Sequence, residues 1–458
     1  MNRVVVVGAG PAGMAAARAA AAAAVPVTLI DSAALLGGQY HRQDATGDGE
    51  SLALPGAVDY LPNTVVWAVE PIAGGHRVHL LTGPADGPGR RGTSIDTAAL
   101  VLATGAYDRT LPFPGWDLPG VYTAGAAQAL AKGQGTAVGK RVLLAGTGPF
   151  LLPVAEAVLR TGSAVVAVHE ANDPFRGWLR QPSGLLAGWG KAGELARYLA
   201  VLATGKVPYR RRSTVIAAHG DERVESVTTA RLDRNWNILA GSERRIDVDA
   251  VCVGFGFTPQ LELAVSAKCA IRDGFVAVDT GQATSVPGVL AAGELTGIGG
   301  AVLAAAEGAV AGTTAARILG ARPGPPVSAL RQARSARRFA AALDEVYSVK
   351  PGWQDWLHDD TLVCRCEEVG FGELCRAVEE REARDVRSLK LLSRAGLGQC
   401  QGRVCGRNVA ELARLPGGPD AFARRPLAAP VRLGELAEPI RTEPTEPTEP
   451  VSPNYEEK

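Results

Sequence analysis

The chain holds seven cysteines, and four of them fall in two close pairs. Cys364-Arg365-Cys366 is followed by 33 residues and then by Cys400-Gln401-Gly402-Arg403-Val404-Cys405. Four thiolates so arranged can wrap a small inorganic centre, and soft sulfur favours zinc or an iron–sulfur cluster. Zinc fingers and ribbons usually separate the members of a pair by about two to four residues. A one-residue spacer beside a four-residue spacer fits them poorly, and four free structural thiols are the remaining reading. Around the pairs the pattern predicts a helix over 371–381, a strand or turn over 386–392 and a Gly-rich loop over 395–399. A further helix is predicted from about Cys400. A loop entering a helix brings backbone N–H groups to the sulfurs, where they offset negative charge, and Arg394 and Arg403 would add to that. Cys375 lies outside the pairs on an amphipathic helix and is expected in the core, as are the isolated Cys252 and Cys269.

A second chemistry is written in glycine. Gly8, Gly10 and Gly13 stand in G-x-G-x-x-G spacing, with Pro11 and Ala12 between, after the apolar run Val4–Val7 and before an Ala-rich helix. Gly8 permits a tight turn, Gly10 lets a pyrophosphate approach the backbone, and Gly13 permits close helix–strand packing. The helix start then offers free N–H groups and the positive end of its dipole. Asp31 follows at the end of the next strand, where a carboxylate can accept hydrogen bonds from ribose hydroxyls. The pattern returns near residue 141 with Gly146 and Gly148, but the third position is the bulky Leu151. Glu170 there suits a ribose, and an acid would disfavour the 2′-phosphate of NADP. A nucleotide site and a nucleotide-free Rossmann-like unit both remain open for this second unit. No histidine sits in an acid–base constellation. His41, in Gly37-Gly38-Gln39-Tyr40-His41-Arg42-Gln43, is read as a polar loop residue rather than a catalytic one, and no catalytic residue is identified.

The elements needed to position these groups are two strand–glycine–helix–strand–acid units. The first runs from a strand at 3–7 through a helix at 14–24 to a strand at 27–30. The second runs from 141–145 through a helix ending near 159 to 164–168. Short buried strands at 100–102, 251–253 and 288–291 break at small residues, where backbone can approach a ligand. Ser328 to Val346 reads as a helix whose Arg331, Arg334, Arg337 and Arg338 form a solvated face. At roughly 150 residues per domain, 458 residues imply two to four domains. With 48 basic and 47 acidic residues the formal charge is +1, which argues against bulk electrostatic binding of nucleic acid. Seven cysteines are too few for a disulfide scaffold, and no breaker-free apolar run of about 18 residues appears. Met-Asn-Arg leads straight into the Val run with no cleavage-site pattern. The expectation is a soluble cytoplasmic protein.

Val7-Gly8-Ala9-Gly10-Pro11-Ala12-Gly13, Ala103-Thr104-Gly105, Gly146-Thr147-Gly148-Pro149 and Ala292-Gly293-Glu294, in that order, resemble the two-dinucleotide-binding-domain flavoproteins such as glutathione and thioredoxin reductases. The resemblance implies an α/β fold with two Rossmann-like domains. FAD would sit at the first site, and NAD or another adenine nucleotide could sit at the second. It adds Gly38, Gln39, Arg42, Thr104, Gly105, Gly293, Glu294 and Gly300 as cofactor contacts. Those reductases carry a redox CxxC beside the flavin, and its absence here excludes thiol–disulfide chemistry. Cys-Arg-Cys-Glu-Glu and Cys-Gln-Gly-Arg-Val-Cys-Gly resemble the bacterioferritin-associated ferredoxin-like 2Fe–2S domain. That resemblance assigns Cys364, Cys366, Cys400 and Cys405 as ligands in a small α+β or helical module.

The module order, with Gly37-Gly38-Gln39, Pro114-Gly115-Trp116 and Thr123-Ala124-Gly125-Ala126-Ala127-Gln128, is similar to the alpha or A subunits of heteromeric amine and imino-acid dehydrogenases. Leu151 is at home in that group. The implied organisation is a flavin domain from 1–108 and 250–320, a second dinucleotide domain at 109–249, and a linker and helix at 321–360. The cluster domain follows at 361–415, then a Pro-rich docking tail at 416–440 and a disordered low-complexity end at 441–458. The implied partners are an amino-acid-oxidase-like flavoprotein subunit, a further small subunit and a downstream electron acceptor, with FMN at a subunit interface as an open question. The role implied is electron relay in oxidation of a C–N bond. A self-sufficient NAD(P)H-dependent reductase and a structural subunit with idle nucleotide sites are the competing readings.

Overall fold

The computed structural model describes residues 2–43, 52–85, 87–416 and 418–437. Val4–Val7 is buried along its whole length because parallel strands lie on both sides, Val27–Ile30 on one and Ala99–Leu102 on the other. Val58–Leu61 and Val289–Ala291 complete a five-stranded parallel sheet. Strands covered on both faces must be apolar throughout, which is why these read as unbroken Val/Leu runs. On one face lie the helices Pro11–Ala22 and Gly300–Ile318. They cross closely: a Cβ on Gly308 or Gly312 would stand 2.0 or 2.1 Å from the carbonyl oxygen of Ala12 or Ala16. The other face is covered by an antiparallel sheet of Thr64–Ile72, Gly75–Thr82 and Arg91–Thr97.

The second sheet repeats the design. Arg141–Gly146 lies between Ala164–Glu170 and Ala250–Gly254, with Tyr209–Arg211 and Val121–Thr123 at the edges, all parallel. It is joined to the first sheet by Ala106–Asp108 and Phe257–Pro259, which pair antiparallel. The fold is therefore α/β, two Rossmann-like units followed by a small cysteine-bearing module.

The helix expected from Ser328 runs Val327–Val346 and bridges the two units. Arg331, Arg334, Arg337 and Arg338 are all exposed as expected; Arg337 in addition lays its guanidinium on the Glu307 carboxylate at 2.8 Å, an acid that is 1% exposed. Two predicted elements near the cysteines are corrected. Residues Val386–Ser393 form a helix, not a strand or turn. Asp385 accepts the Ser388 N–H at 2.7 Å while Ser388 Oγ accepts the Asp385 N–H, a reciprocal cap that overrides the β-branched start. The helix expected from Cys400 begins at Gly406. Gln401 and Gly402 have φ of +51° and +81°, and left-handed residues cannot continue a right-handed helix.

Among the described residues no helix is long and apolar enough to cross a membrane. The tail at 418–437 is ordered against the body through Pro419–Phe422 and Leu433–Ala437. The low-complexity end lies outside the described residues.

Candidate functional site

At the first glycine turn the three glycines differ in what they need. A Cβ on Gly8 (φ +103°) would fall 2.2 Å from Ala103 O, and one on Gly13 would fall 1.7 Å from Gly8 O. Those two serve packing. A Cβ on Gly10 meets nothing within 4 Å, so packing does not explain that glycine. The helix that starts at Pro11 has no side-chain cap, so its first N–H groups are left without a side-chain acceptor and suit an anion. Asp31 stands at the strand end as expected. Its carboxylate accepts the N–H of Ala9 at 2.5 Å and of Ala33 at 2.7 Å, which fixes the shape of the glycine turn. Gly38 (φ +59°) closes on the turn, its would-be Cβ 2.9 Å from Gly10 Cα. A groove of about 380 Å³ continues from the helix start, lined by Pro11, Met14, Arg18, Tyr40, His41 and Val302.

The other residues assigned to this site are held in place by their own partners. Arg42 donates to Gln39 Oε1 at 2.5 Å and packs near Gly133 of the second unit. Thr104 Oγ1 donates to Gln260 O at 3.2 Å, and a Cβ on Gly105 would meet open space. Glu294 accepts the N–H of Gly300 at 2.9 Å and of Gly299 at 3.3 Å, at the start of the long helix 300–318. Burial pushes its carboxyl up to about 7. Glu307 was missed by the sequence reading. Its buried carboxylate accepts from Gly293 N at 3.0 Å and Thr296 Oγ1 at 2.8 Å, and so holds the Gly293-Glu294 loop. A single acid inside an otherwise Ala/Gly-rich helix was the available signal.

The second turn is built alike but filled. Gly146 serves packing, with Gly254 O at 1.8 Å from its would-be Cβ, and Gly148 faces open space. The helix starts at Leu151, whose side chain would meet a Cβ on Gly254 at an ordinary 3.7 Å, while Ala124 Cβ at 3.0 Å is the neighbour that crowds that position. Glu170 is fully buried and takes three donors: Thr147 Oγ1 at 2.7 Å, Gly148 N and Asn172 N, both at 2.9 Å. Burial nonetheless pushes it up to about 7. The chain's own carbonyls cover this network, with Asn172 Nδ2 donating to Ser348 O at 3.0 Å and Thr147 Oγ1 to Tyr347 O at 3.4 Å.

The four paired cysteines come together although 33 residues separate the pairs. Cys364 and Cys366 Sγ stand 4.0 Å apart, and Cys366 and Cys400 Sγ 3.7 Å apart. Two thiolates on one tetrahedral metal at about 2.3 Å would stand about 3.8 Å apart. The Cys405 side chain beside them draws both Cys364 and Cys400 toward thiolate. The Gly396 N–H points at Cys364 Sγ from 3.5 Å. The Sγ separations suit thiolates gathered on a shared inorganic centre. Cys375 is half-buried on its helix rather than in the core, whereas Cys252 and Cys269 are buried.

The cysteine module is fastened to the link between the two units. Arg109, 8% exposed, pairs with Glu411 at 2.6 Å. Arg403, between Cys400 and Cys405, donates to the Tyr107 hydroxyl and meets Glu262, both at 3.1 Å. Asn408 Nδ2 donates to Thr110 O at 2.6 Å, and Trp116 Nε1 to Leu362 O at 2.5 Å. From the tail, Phe422 packs against Gly396, Gly402 and Gly406, whose would-be Cβ atoms lie 2.7–2.8 Å from its ring or Cγ.

The model of the pyridine nucleotide-disulphide oxidoreductase family matches residues 2–309, and that of the BFD-like [2Fe-2S] binding domain matches 362–414. An opine oxidase subunit of Agrobacterium tumefaciens is 32% identical over 472 residues, 95% of this chain and 91% of that protein. Hydrogen cyanide synthase subunit HcnB of Pseudomonas aeruginosa is 30% identical over 424 residues, 88% of this chain and 90% of that one. The fold is also that of L-proline dehydrogenase from P. horikoshii, with a TM-score of 0.67 at 21% identity, covering 95% of this chain and 79% of that one. The two families imply FAD and a 2Fe–2S cluster. The open face of Gly10 beside an uncapped helix fits a pyrophosphate, and the four gathered sulfurs fit the cluster. The chain belongs to the pyridine nucleotide-disulphide oxidoreductase family, among the oxidoreductase subunits that carry a C-terminal BFD-like 2Fe–2S domain.

Proposed function

We propose that the chain is the electron-relaying subunit of a heteromeric dehydrogenase or oxidase acting on the C–N bond of a small amine, amino acid or imino acid. The observation that carries this is the contact between Arg403 of the cluster loop and Tyr107, three residues after Thr104. It ties the sulfur-bearing loop directly to the flavoprotein body. When bound, FAD would exchange electrons in pairs and the 2Fe–2S cluster one at a time, so the two together match a two-electron donor to a one-electron acceptor. The protein's share is positional. Gly10 and the helix start would hold the pyrophosphate, with Gly8, Pro11, Ala12, Gly13 and Asp31 shaping the turn. Gly38, Gln39, Arg42, Thr104, Gly105, Gly293, Glu294 and Gly300 would frame the rest of FAD, and Cys364, Cys366, Cys400 and Cys405 would hold the cluster. The name opine oxidase supports the C–N substrate class, and both curated relatives are subunits. Substrate chemistry is assigned to the partner, an amino-acid-oxidase-like flavoprotein.

The alternative, a self-sufficient NADH-driven reductase, needs Glu170 free for a ribose, and this carboxylate is already engaged by three donors under Tyr347 and Ser348. Anaerobic mixing of the purified chain with NADH is the test. An unchanged flavin spectrum is expected; prompt bleaching followed by cluster reduction would replace this proposal with the reductase.

A further inference from the structure

Residues 174–204 form three helices: Pro174–Leu179 and Pro182–Ala187 pack on the bridging helix 327–346, and Ala192–Thr204 packs on the helix Leu151–Arg160 of the second unit. An ordinary surface helix turns its large apolar residues inward, as the third does with Leu202; in the first two, apart from Trp178 stacked on Phe339, the close inward contacts are glycines. A Cβ on Gly177 would lie 2.8 Å from Val346, one on Gly184 2.3 Å from Ala342, and one on Gly188 2.3 Å from the Phe339 ring. The large side chains face solvent: Phe175 is 65% exposed, Leu179 66%, Leu186 78% and Trp189 79%. Leu195 and Leu199, one helical turn apart, are about half exposed. Scattered surface leucines need no explanation, but a contiguous apolar patch with an aromatic centre marks a contact surface.

The patch borders the groove that runs from the start of helix 11–22. Lys191 Nζ reaches within 4.0 Å of a Cβ placed on Gly300, and the groove residue Tyr40 feels the charge of Glu194. Tyr40 and Val302, on the groove wall, are themselves 54% and 42% exposed. Charge around the patch is lopsided. Arg176, Arg180, Lys191 and Arg197 lie within it against the single acid Glu194. At its inner edge Arg160 and Arg211 share with Arg197 and Arg176 the two acids Glu156 and Asp173. With Glu345, which accepts from Gln181 at 2.5 Å, six basic side chains stand against four acidic ones, a basic excess that would face itself in a symmetric pair of this chain, whereas a carboxylate-rimmed apolar surface would meet it favourably.

We infer that the outward face of 174–204, centred on Leu186 and Trp189, is the docking surface for the catalytic flavoprotein subunit, which brings an apolar face bordered by carboxylates to the edge of the groove beside helix 11–22. This rests on the subunit reading proposed above. The test uses the full chain, affinity-tagged and purified from its native host, with the co-purifying polypeptide identified by mass spectrometry and re-expressed for titration. The variants are Trp189→Glu and Leu186→Glu; flavin content, cluster absorption and Tm report that each is folded. An amino-acid-oxidase-like flavoprotein should accompany the wild type, and each variant should bind it roughly 30-fold or more weakly. Hydrogen exchange over 174–204 should slow on its addition. A folded variant that binds the partner as tightly as wild type overturns the docking surface and leaves the subunit reading standing. A wild-type chain that purifies alone and monomeric overturns the subunit reading itself. A wild-type dimer that becomes monomeric in the variants makes the patch a contact between copies and overturns the inference.

Discussion

Gly10 and Gly13 lie three residues apart and do different jobs, and substitution separates them. Gly13→Val would drive a side chain into Gly8 O, 1.7 Å from the would-be Cβ, so the turn cannot close and the fold should be lost. Gly10→Val has room in the protein itself but fills the approach of the pyrophosphate. It should purify folded, with normal cluster absorption and little or no flavin. Glu170 offers a second check at this scale. Its folded pKa lies above the usual 4.5, at about 7, because burial penalises the charged form. Between those values the native state holds more protons than the unfolded one, so stability is greatest below the lower value and falls as pH rises through the window. Glu294 is shifted the same way. Tm should therefore drop as pH rises from 4.5 to about 7. Glu170→Gln should flatten part of that slope while starting lower by about 1–3 kcal/mol, since one buried donor loses its acceptor.

Among the elements, the tail at 418–437 has a larger role than its composition suggests. Phe422 is 3% exposed and wedged among three glycines of the cysteine loops, while Arg425 donates to Gln401 Oε1 at 2.7 Å and to Gln401 O. Phe422→Ala should cost about 3–5 kcal/mol locally and speed loss of cluster absorption under a chelator, with flavin content unchanged. The sequence made the glycine turns and the Val/Leu strands legible because both are local signals. A turn needs its glycines at fixed spacing, and a doubly covered strand needs an unbroken apolar run. Non-local geometry was not legible. Nothing in the spacing of Glu307 names Gly293 and Arg337 as its partners, and nothing near Tyr107 announces Arg403, almost three hundred residues away. The helix at Val386–Ser393 was misread because a β-branched first residue outweighed the Asp385 cap that decides the matter. The late start at Gly406 depended on the left-handed backbone at Gln401, a conformation that residue type rarely advertises.

Across the whole molecule, the chain crosses between the two Rossmann-like units at Ala106–Asp108 and Phe257–Pro259, which run side by side. A two-strand link of that kind is a hinge, and domains joined so are ordinarily free to swing. This one is braked on both sides. The cysteine module grips it through Arg109–Glu411, Arg403–Tyr107 and Arg407, which donates to Phe257 O. The helix 327–346 spans the units by pairing Arg337 with Glu307 on one and stacking Phe339 on Trp178 of the other. The tail completes the bracing, with Ala428 N–H donating to Trp67 O and the buried pair Arg90–Glu435 pinning its end to the first unit. The consequence is mechanical: a carrier that must pivot between delivery positions is throttled by solvent friction, whereas under the relay role proposed above this braced frame would hold its stations at fixed separation, and turnover should be insensitive to added glycerol or sucrose.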